Sequence, residues 1–220
     1  MATDPGGEAP SEDTQDSVAY PYLDAALNPS HTYLLPALTR ILDNLNFESA
    51  RKRVFEVGCG NGAVAGKLKE KGFDVVGVDP SEQGIARANA RDPQLKLSRG
   101  SIYDDLARQY GQFPVVISLE VVEHVFLPRR FASTLFALVE PGGTAIISTP
   151  YHGYWKNLAL ALTGRMDDHF TALWDYGHIK FWSERTLRVL LKEAGFTKIS
   201  FNRVGRIPVF AKSMIAIARK

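Results

Sequence analysis

Residues 53–62 read Arg-Val-Phe-Glu-Val-Gly-Cys-Gly-Asn-Gly, and this stretch decides the fold class of the 220-residue chain. Its apolar half, interrupted by the acid Glu56, predicts a short buried strand, and a helical pattern begins at Ala63. In α/β folds, a strand, a glycine turn and a helix in this order place a nucleotide-like ligand at the carboxyl end of the strand. Glycine suits such a turn because it accepts positive φ and has no Cβ to hold a ligand off the backbone. The three turn glycines are Gly58, Gly60 and Gly62.

Strand and helix patterns alternate five times from this point. The strand-like runs lie at 54–57, 73–78, 95–100, 113–119 and 144–148. The run 113–119 is nearly all apolar, as expected of a strand buried on both faces. The alternation predicts a parallel sheet with helices on both faces and right-handed crossovers.

The alternation of strands and helices ends after the fifth strand, where residues 151–177 form an insertion. Ser183 then caps a last helix, and strand-like runs follow at 196–202 and 209–218. Because only a turn separates these two runs, we expect them to pair as an antiparallel hairpin.

Two further helices are predicted on either side of the glycine turn. Ser30 is the expected cap of a helix that reaches Leu45, although Pro36 favours a start nearer Leu35. A second, short helix is expected over 120–125, directly after the fourth strand.

Bulk properties limit the class of protein. Residues 1–17 are acidic and rich in Pro, Gly, Ser and Thr, which predicts a disordered tail and leaves 18–220 as one domain. A net charge of +2 is too small to indicate a nucleic-acid partner. The single cysteine, Cys59, excludes a disulfide framework and makes the cytoplasm the default location. There is neither a signal peptide nor an apolar run of about 18 residues, so we expect no transmembrane segment.

The glycine turn alone fits either a dinucleotide or S-adenosylmethionine. Glu56, two residues before the first glycine, favours the second ligand. It can receive an ammonium group, whereas a carboxylate aimed at a pyrophosphate would repel it. Asp79 ends the second strand and can accept hydrogen bonds from ribose hydroxyls of either ligand. The alternative for Asp79 is an ordinary acid at a helix N-terminus, before Pro80.

Four segments together resemble the class I S-adenosylmethionine-dependent methyltransferases over residues 30–220. They are Val-Phe-Glu-Val-Gly-Cys-Gly-Asn-Gly (54–62), Val-Gly-Val-Asp (76–79), Val-Ile-Ser-Leu-Glu-Val-Val-Glu-His-Val (116–125) and Val-Glu-Pro-Gly-Gly-Thr (139–144). Within that superfamily, Leu-Glu-Val-Val-Glu-His-Val and Gly-His-Ile-Lys-Phe-Trp-Ser (177–183) are most similar to the O-methyltransferases of ubiquinone biosynthesis.

The resemblance implies a Rossmann-like α/β fold. It has a seven-stranded, mostly parallel sheet with helices on both faces and a C-terminal antiparallel hairpin. It also implies S-adenosyl-L-methionine as cofactor and S-adenosyl-L-homocysteine as product. Many members carry an acid where this chain has Ser101, so a hydroxyl or carbonyl would replace the acid at the adenine amino group. The implied cofactor residues are Glu56, Gly58, Cys59, Gly60 and Gly62 in the loop, Asp79 for ribose, Pro80, Ser101 and Ile102 for adenine, and Leu119 and Glu120 beside the sulfonium. Cys59 is interpreted as a small turn residue rather than a nucleophile.

The implied reaction is an in-line displacement of a methyl group from a sulfonium. The leaving thioether is neutral, so the enzyme aligns the reactants and removes a proton from a hydroxyl acceptor. Histidine titrates near neutral pH and is the expected base. His178, just after the insertion, is the first candidate, and His152, after the fifth strand, is the second. His124 is a further candidate, whereas His169 lies in the insertion with a solvated role as the alternative.

The predicted helix after the fourth strand places Glu120 and His124 on one face. With Glu123 they could bind a divalent metal, as suggested for some ubiquinone-type relatives. This residue set is not selective for a metal, and a structural role is the alternative, so no metal is predicted.

The insertion is expected to cover the acceptor pocket. Its aromatic residues suit a planar or lipophilic acceptor, with fixation of the insertion itself as the alternative. The apolar helix 155–162 could instead rest on a membrane surface or a second subunit. Tyr20 and Tyr22 are candidates for covering the cofactor. The aromatic residues of the insertion are Tyr151, Tyr154, Trp155, Phe170, Trp174 and Tyr176.

The sequence thus predicts a cytoplasmic methyltransferase that methylates oxygen on a small or lipid-like acceptor, with its oligomeric state open. An NAD-dependent oxidoreductase is disfavoured by Glu56 and by the C-terminal hairpin. A non-catalytic module that binds S-adenosylmethionine and regulates a partner is the remaining alternative.

Overall fold

The computed structural model of the chain describes residues 26–45, 52–170, 172–174 and 177–220. The acidic tail 1–17 and the predictions for Tyr20, Tyr22 and Tyr176 lie outside these residues. Within the described ranges, seven strands form one sheet in the order β3-β2-β1-β4-β5-β7-β6. The strands are β1 Arg53–Val57, β2 Asp74–Asp79, β3 Lys96–Arg99, β4 Phe113–Leu119, β5 Val139–Pro150, β6 Ile199–Val204 and β7 Ser213–Arg219.

The sheet is parallel from β3 to β5 and antiparallel at its other edge. β1 pairs with β2 and β4, β2 with β3, and β4 with β5, all in parallel. β7 lies between β5 and β6 and runs antiparallel to both. The predicted alternation and the C-terminal antiparallel hairpin are therefore confirmed.

Helices cover both faces of the sheet, and each face has its own core. On one face, α1–α3 pack against Val54, Val115 and Ile117. On the other, α4, α5 and α8 pack against Phe55 and Val116. The helices are α1 His31–Asn44, α2 Ala63–Glu70, α3 Glu82–Arg91, α4 Leu106–Tyr110, α5 Pro128–Leu138, α6 Tyr154–Leu162, α7 Met166–Phe170 and α8 Glu184–Glu193. None of the helices in the described residues is long and apolar enough to cross a bilayer.

Helix α1 begins earlier than its proline suggested, and the side chain of Asn28 rather than that of Ser30 accepts from its first N–H groups. The carboxamide Oδ1 of Asn28 accepts from the backbone N–H groups of Ser30 and His31, both at 3.1 Å. Ser30 occupies the N-cap position, as predicted, but its side chain makes no capping bond to the helix backbone. Pro36 lies inside the helix, which runs on to Asn44.

The expected helix at 120–125 is also wrong, because this segment is a turn. Glu120 has φ of 55°, the only positive φ of a non-glycine residue in the described part of the chain. The carbonyl of Glu123 accepts from the backbone N–H groups of Ile179 and Lys180, both at 2.9 Å. A buried hydrogen bond from Trp182 Nε1 to the carbonyl of Val122 (3.1 Å) adds a third link. The turn is therefore held by a segment about 55 residues later rather than by helical bonds.

Candidate cofactor and acceptor site

The glycine turn closes against the end of β2. Gly58, Gly60 and Gly62 have φ of 77°, 53° and 70°, a region that side chains rarely adopt. The N–H groups of Gly58 and Cys59 donate to the carbonyl of Val78 at 2.8 and 3.1 Å. A Cβ on Gly58 would collide with the side chain of Val121. The turn thus needs glycine for backbone geometry and for packing, before any ligand is considered.

Asp79 fixes the shape of this turn. Its side chain is buried; Oδ2 accepts from the N–H of Gly60 and Oδ1 from the N–H of Ser81, each at 2.8 Å. Burial raises the pKa of Asp79, while the two backbone hydrogen bonds act in the opposite direction. Each carboxylate oxygen can accept a second hydrogen bond, so the predicted ribose contact stays compatible with the anchoring role.

Glu56 lies beneath the turn with unsatisfied hydrogen-bonding capacity. It is 2% exposed, and its Oε2 meets no hydrogen-bond partner in the described structure. Burial raises its pKa well above the usual range, and repulsion from Asp79 adds to this effect. A buried acid without a partner is costly. An ammonium group of an amino-acid moiety would supply the missing charge and donors, so these residues fit S-adenosylmethionine.

The remaining predicted cofactor residues lie along the same edge of the sheet and differ in burial and in hydrogen bonding. The N–H of Gly100 donates to the carbonyl of Asp79 (3.1 Å), which brings the end of β3 beside this acid. Ser101, half-buried, accepts from the N–H of Tyr103 at 3.1 Å, and its own N–H donates to Asp104 (2.7 Å). Cys59 is buried in the core, and burial raises the pKa of its thiol, which disfavours a nucleophile. Pro80 and Ile102 are half-buried, and Leu119 is buried.

Glu120 belongs to a hydroxyl network that sequence reasoning missed. Ser148 Oγ donates to its Oε1 at 2.7 Å, and Ser213 Oγ donates to Oε2 at 3.3 Å. Tyr33 Oη lies 3.3 Å from Ser213 Oγ, which links α1 to the network. Burial raises the pKa of Glu120 to about 7, although the two serine hydrogen bonds favour the charged form. The position of Ser148 and Ser213 on adjacent strands β5 and β7 emerges only from the sheet order.

The structure brings His124 and His178 together. Their ring centroids are 4.9 Å apart, and His124 Nδ1 lies 3.2 Å from the carbonyl of Gly177. His178 Nε2 is 4.0 Å from Oε1 of the buried acid Glu123. Burial lowers the pKa of His178 to about 4, with the nearby His124 acting in the same direction. The imidazole is therefore neutral at pH 7.

Glu123, His124 and His178 also offer ligand atoms that all lie within 4.8 Å of one another. This set differs from the metal set considered in the sequence, which contained Glu120 in place of His178. The two carboxyl oxygens of Glu120 instead meet the serine hydroxyls. Ligand atoms at this spacing could share a cation, whereas His178 Nε2 and Glu123 Oε1, at 4.0 Å, are too far apart for a direct hydrogen bond.

His152 belongs to a second aromatic group. Its ring stacks on Phe170 at 5.8 Å between centroids and meets His169 and Phe181 at 5.5 and 5.1 Å. Burial, followed by the charge of Lys156, lowers the pKa of His152 to about 4. Burial also lowers the pKa of His169. Phe170 of the predicted insertion thus packs on His152, just after the carboxyl end of β5.

Lys156 is a cation in this region that the sequence did not single out. Its Nζ donates to the carbonyl of Tyr151 at 2.8 Å. Burial lowers its pKa to about 8, Arg206 acts in the same direction, and Glu120 opposes the shift. The edge therefore combines neutral imidazoles with a partly desolvated ammonium.

Comparisons with known proteins agree with this geometry. The family model described as "Methyltransferase domain" matches residues 30–200. A ubiquinone biosynthesis O-methyltransferase of Psychrobacter arcticus is 30% identical over 158 residues, which are 68% of this chain and 60% of that protein. The protein of that name from Roseobacter denitrificans is 38% identical over 100 residues, 44% of this chain and 40% of its own length. The chain thus spans about half the length of these relatives.

Solved structures share the fold at low identity. The PH0226 protein from Pyrococcus horikoshii OT3 has a TM-score of 0.68 at 19% identity, with 90% of this chain and 94% of that chain covered. Magnesium protoporphyrin IX methyltransferase from Synechocystis, solved with bound S-adenosylhomocysteine, has a TM-score of 0.61 at 20% identity, with 85% and 81% covered. Together with the match over residues 30–200, the glycine turn and the acids Glu56 and Asp79, these findings show that the chain belongs to the class I S-adenosylmethionine-dependent methyltransferases.

Proposed function

We propose that this chain transfers a methyl group from S-adenosylmethionine to an oxygen atom of a small or lipid-like acceptor. The observation that carries the proposal is the buried Oε2 of Glu56 behind the glycine turn, which has no partner in the part of the chain that the structure describes. This buried carboxyl oxygen needs a positively charged partner at the place where the family binds its cofactor. The names of the curated relatives, O-methyltransferases of ubiquinone biosynthesis, support oxygen as the methylated atom and a lipid-like acceptor.

When bound, S-adenosylmethionine supplies an electrophilic methyl group on a sulfonium, with a neutral thioether as leaving group. In this proposal Glu56 binds the ammonium group, and Gly58 and Gly60 allow close approach of the methionine part. Asp79 accepts from the ribose hydroxyls while it keeps the turn closed. Pro80, Ser101 and Ile102 flank the adenine, and Leu119 and Glu120 lie beside the sulfonium.

His178 is the proposed base that takes the acceptor proton. It lies at the carboxyl edge, and its neutral ring at pH 7 carries the lone pair that a base needs. The buried Glu123 lies 4.0 Å from its Nε2. Burial, followed by the charge of Glu120, raises the pKa of Glu123 well above its usual range, so this carboxyl stabilises the imidazolium only in its ionised form. His124 and His152 lie at the same edge and are the second choices. Aromatic groups of the insertion would line the acceptor pocket.

The proposal is tested with the purified chain, methyl-tritiated S-adenosylmethionine and a bacterial lipid extract. We expect label in the organic phase that survives alkaline hydrolysis, as an ether does and an ester does not. Calorimetric titration with S-adenosylhomocysteine runs in parallel. Binding of S-adenosylhomocysteine without transfer into any fraction would instead support the regulatory module. Binding of NADH in place of S-adenosylhomocysteine would reject the site as described.

A further inference from the structure

Lys156 is a half-buried cation at the carboxyl edge of the sheet for which the methyl transfer proposed above assigns no role. It lies in the first turn of α6, which follows the end of β5. Its Nζ donates to the carbonyl of Tyr151 at 2.8 Å. An ammonium group has three donors, and within the described part of the chain this bond uses one of them. The other two are available to a ligand.

Contacts between neighbouring strands connect Lys156 to the acid at the centre of the site. Pro150, the last residue of β5, pairs with Ser213 of β7, and Ser213 Oγ donates to Glu120 Oε2 at 3.3 Å. Tyr151, whose carbonyl accepts from Lys156, is the next residue along the chain. The ammonium group is therefore held close to Glu120, which the proposed function places beside the sulfonium.

The charge of Lys156 acts on the ionisable groups of this edge. Burial lowers the pKa of Lys156 to about 8, the charge of Arg206 adds to this effect, and the charge of Glu120 opposes it. At pH 7 the ammonium group therefore stays mostly protonated. Burial is also the main cause of the lowered pKa of three histidines, and the charge of this lysine lowers each of them further. The three histidines are His152, His169 and His178, the last of which is the proposed base.

We propose that the ammonium group of Lys156 binds the acceptor oxygen as an oxyanion and holds it in place for attack on the methyl group. A cation beside a hydroxyl favours its ionised form, as it does for an acidic side chain. A fixed charge in a partly desolvated site acts more strongly than the same charge in water. The inference rests on the proposed function, since it concerns the oxygen that receives the methyl group.

Lys156 keeps its own protons throughout this step. His178 takes the proton of the acceptor hydroxyl, and a lone pair of the resulting oxyanion forms the bond to the methyl carbon. The C–S bond breaks, and its electron pair stays on the sulfur of the neutral thioether. In the alternative role, a neutral Lys156 takes the proton itself. Arginine remains charged at every working pH, so Lys156→Arg separates the two roles.

The test uses 4-nitrophenol, a planar aromatic hydroxyl whose anion absorbs visible light. The full 220-residue chain is saturated with S-adenosylhomocysteine, which has no methyl group to transfer, and the absorbance of bound 4-nitrophenolate is followed across neutral pH. We expect bound 4-nitrophenol to ionise at least about one pH unit lower than free 4-nitrophenol, a tenfold preference for the oxyanion. Lys156→Met should abolish this shift, and Lys156→Arg should keep it.

Lys212→Met is the matched control. Lys212 is an exposed lysine near the same edge, with its Nζ 5.3 Å from the ring centre of Tyr33. Water screens exposed charges, so this variant should keep the shift within about 0.3 of a pH unit. Titration calorimetry with S-adenosylhomocysteine verifies that each variant is folded. The inference is overturned if the wild type does not bind 4-nitrophenol or does not lower its ionisation pH, or if Lys212→Met removes the shift as completely as Lys156→Met.

Transfer of labelled methyl into a bacterial lipid extract separates this inference from the proposed function. Turnover should fall at least about tenfold in Lys156→Met and stay within about fivefold of the wild type in Lys156→Arg. Equal losses in the two variants would overturn the oxyanion role and make Lys156 the base. Unchanged turnover in Lys156→Met would also overturn it. If the wild type transfers no label while the shift of 4-nitrophenol still depends on Lys156, the proposed function alone is wrong.

Discussion

Replacing Glu56 by glutamine should separate folding stability from cofactor binding. Glu56 is 2% exposed, its Oε2 has no partner among the described residues, and burial and Asp79 both raise its pKa well above 4.5. A raised pKa means that the folded chain holds a proton that the unfolded chain releases, so wild-type stability falls as the pH rises above about 4.5. A buried unsatisfied group costs about 1–3 kcal/mol. A neutral, near-isosteric glutamine should therefore raise the unfolding free energy of the ligand-free chain by about 1–2 kcal/mol at neutral to alkaline pH.

The same change should weaken S-adenosylhomocysteine binding. Loss of the charge-assisted contact to the ammonium group corresponds to about 1–3 kcal/mol, or roughly 5- to 150-fold in Kd. Urea unfolding at about pH 6 and pH 8 measures the first effect, whose size should grow with pH, and titration calorimetry measures the second. Glu70→Gln is the control, because Glu70 is 62% exposed and pairs with nearby Lys67. A Glu56→Gln variant that is less stable than the wild type yet binds S-adenosylhomocysteine equally well would refute the assignment.

Three further predictions concern the rest of the site. Asp79→Ala removes a charged acceptor from two backbone N–H groups and should lower the unfolding free energy by roughly 2–4 kcal/mol, measured by urea unfolding; a loss below about 0.5 kcal/mol would contradict the anchoring role. His178→Ala should slow transfer of labelled methyl while the Kd for S-adenosylhomocysteine stays within about twofold, because a base acts on the acceptor; unchanged turnover would exclude His178 as the base. The pKa of Glu120 is raised to about 7, so the folded chain holds its proton longer and stability falls between about pH 4.5 and 7. Across that pH range, the unfolding free energy of the wild type should fall by up to about 3 kcal/mol relative to that of Glu120→Gln. If the unfolding free energies of the two proteins change with pH in parallel, Glu120 titrates normally.

The cofactor half of the fold was predictable because its signals are local. The strand, the positive-φ glycines and the helix after them follow one another within about 20 residues, and Asp79 ends the next strand. The parallel pairing of the first five strands and the C-terminal hairpin also followed from alternation and from a short connection. These features depend on backbone preferences that neighbouring residues largely determine.

The acceptor side was harder to predict because its contacts are distant in sequence. Residues 120–125 do have the side-chain spacing of a helix, but the carbonyl of Glu123 accepts from the N–H groups of residues 179 and 180 instead of from a helical N–H group. Glu120 takes a positive φ that no periodicity indicates. Ser148 and Ser213 meet Glu120 only because β7 lies beside β5 in the sheet. Tertiary hydrogen bonds thus override local propensity where the chemistry is expected.

Hydrogen bonds hold the two ends of the insertion close to each other at the carboxyl edge of the sheet. The N–H of His152 donates to the carbonyl of Trp182 at 3.3 Å, and the residues just before Trp182 bond to the turn after β4. The ends of the segment between His152 and Trp182 are therefore held together by hydrogen bonds to each other and to the turn after β4. For a loop with fixed ends, doubling the length costs only about 0.6 kcal/mol. Evolution, or a protein engineer, could thus exchange or lengthen this segment to change the acceptor while the cofactor half keeps its stability.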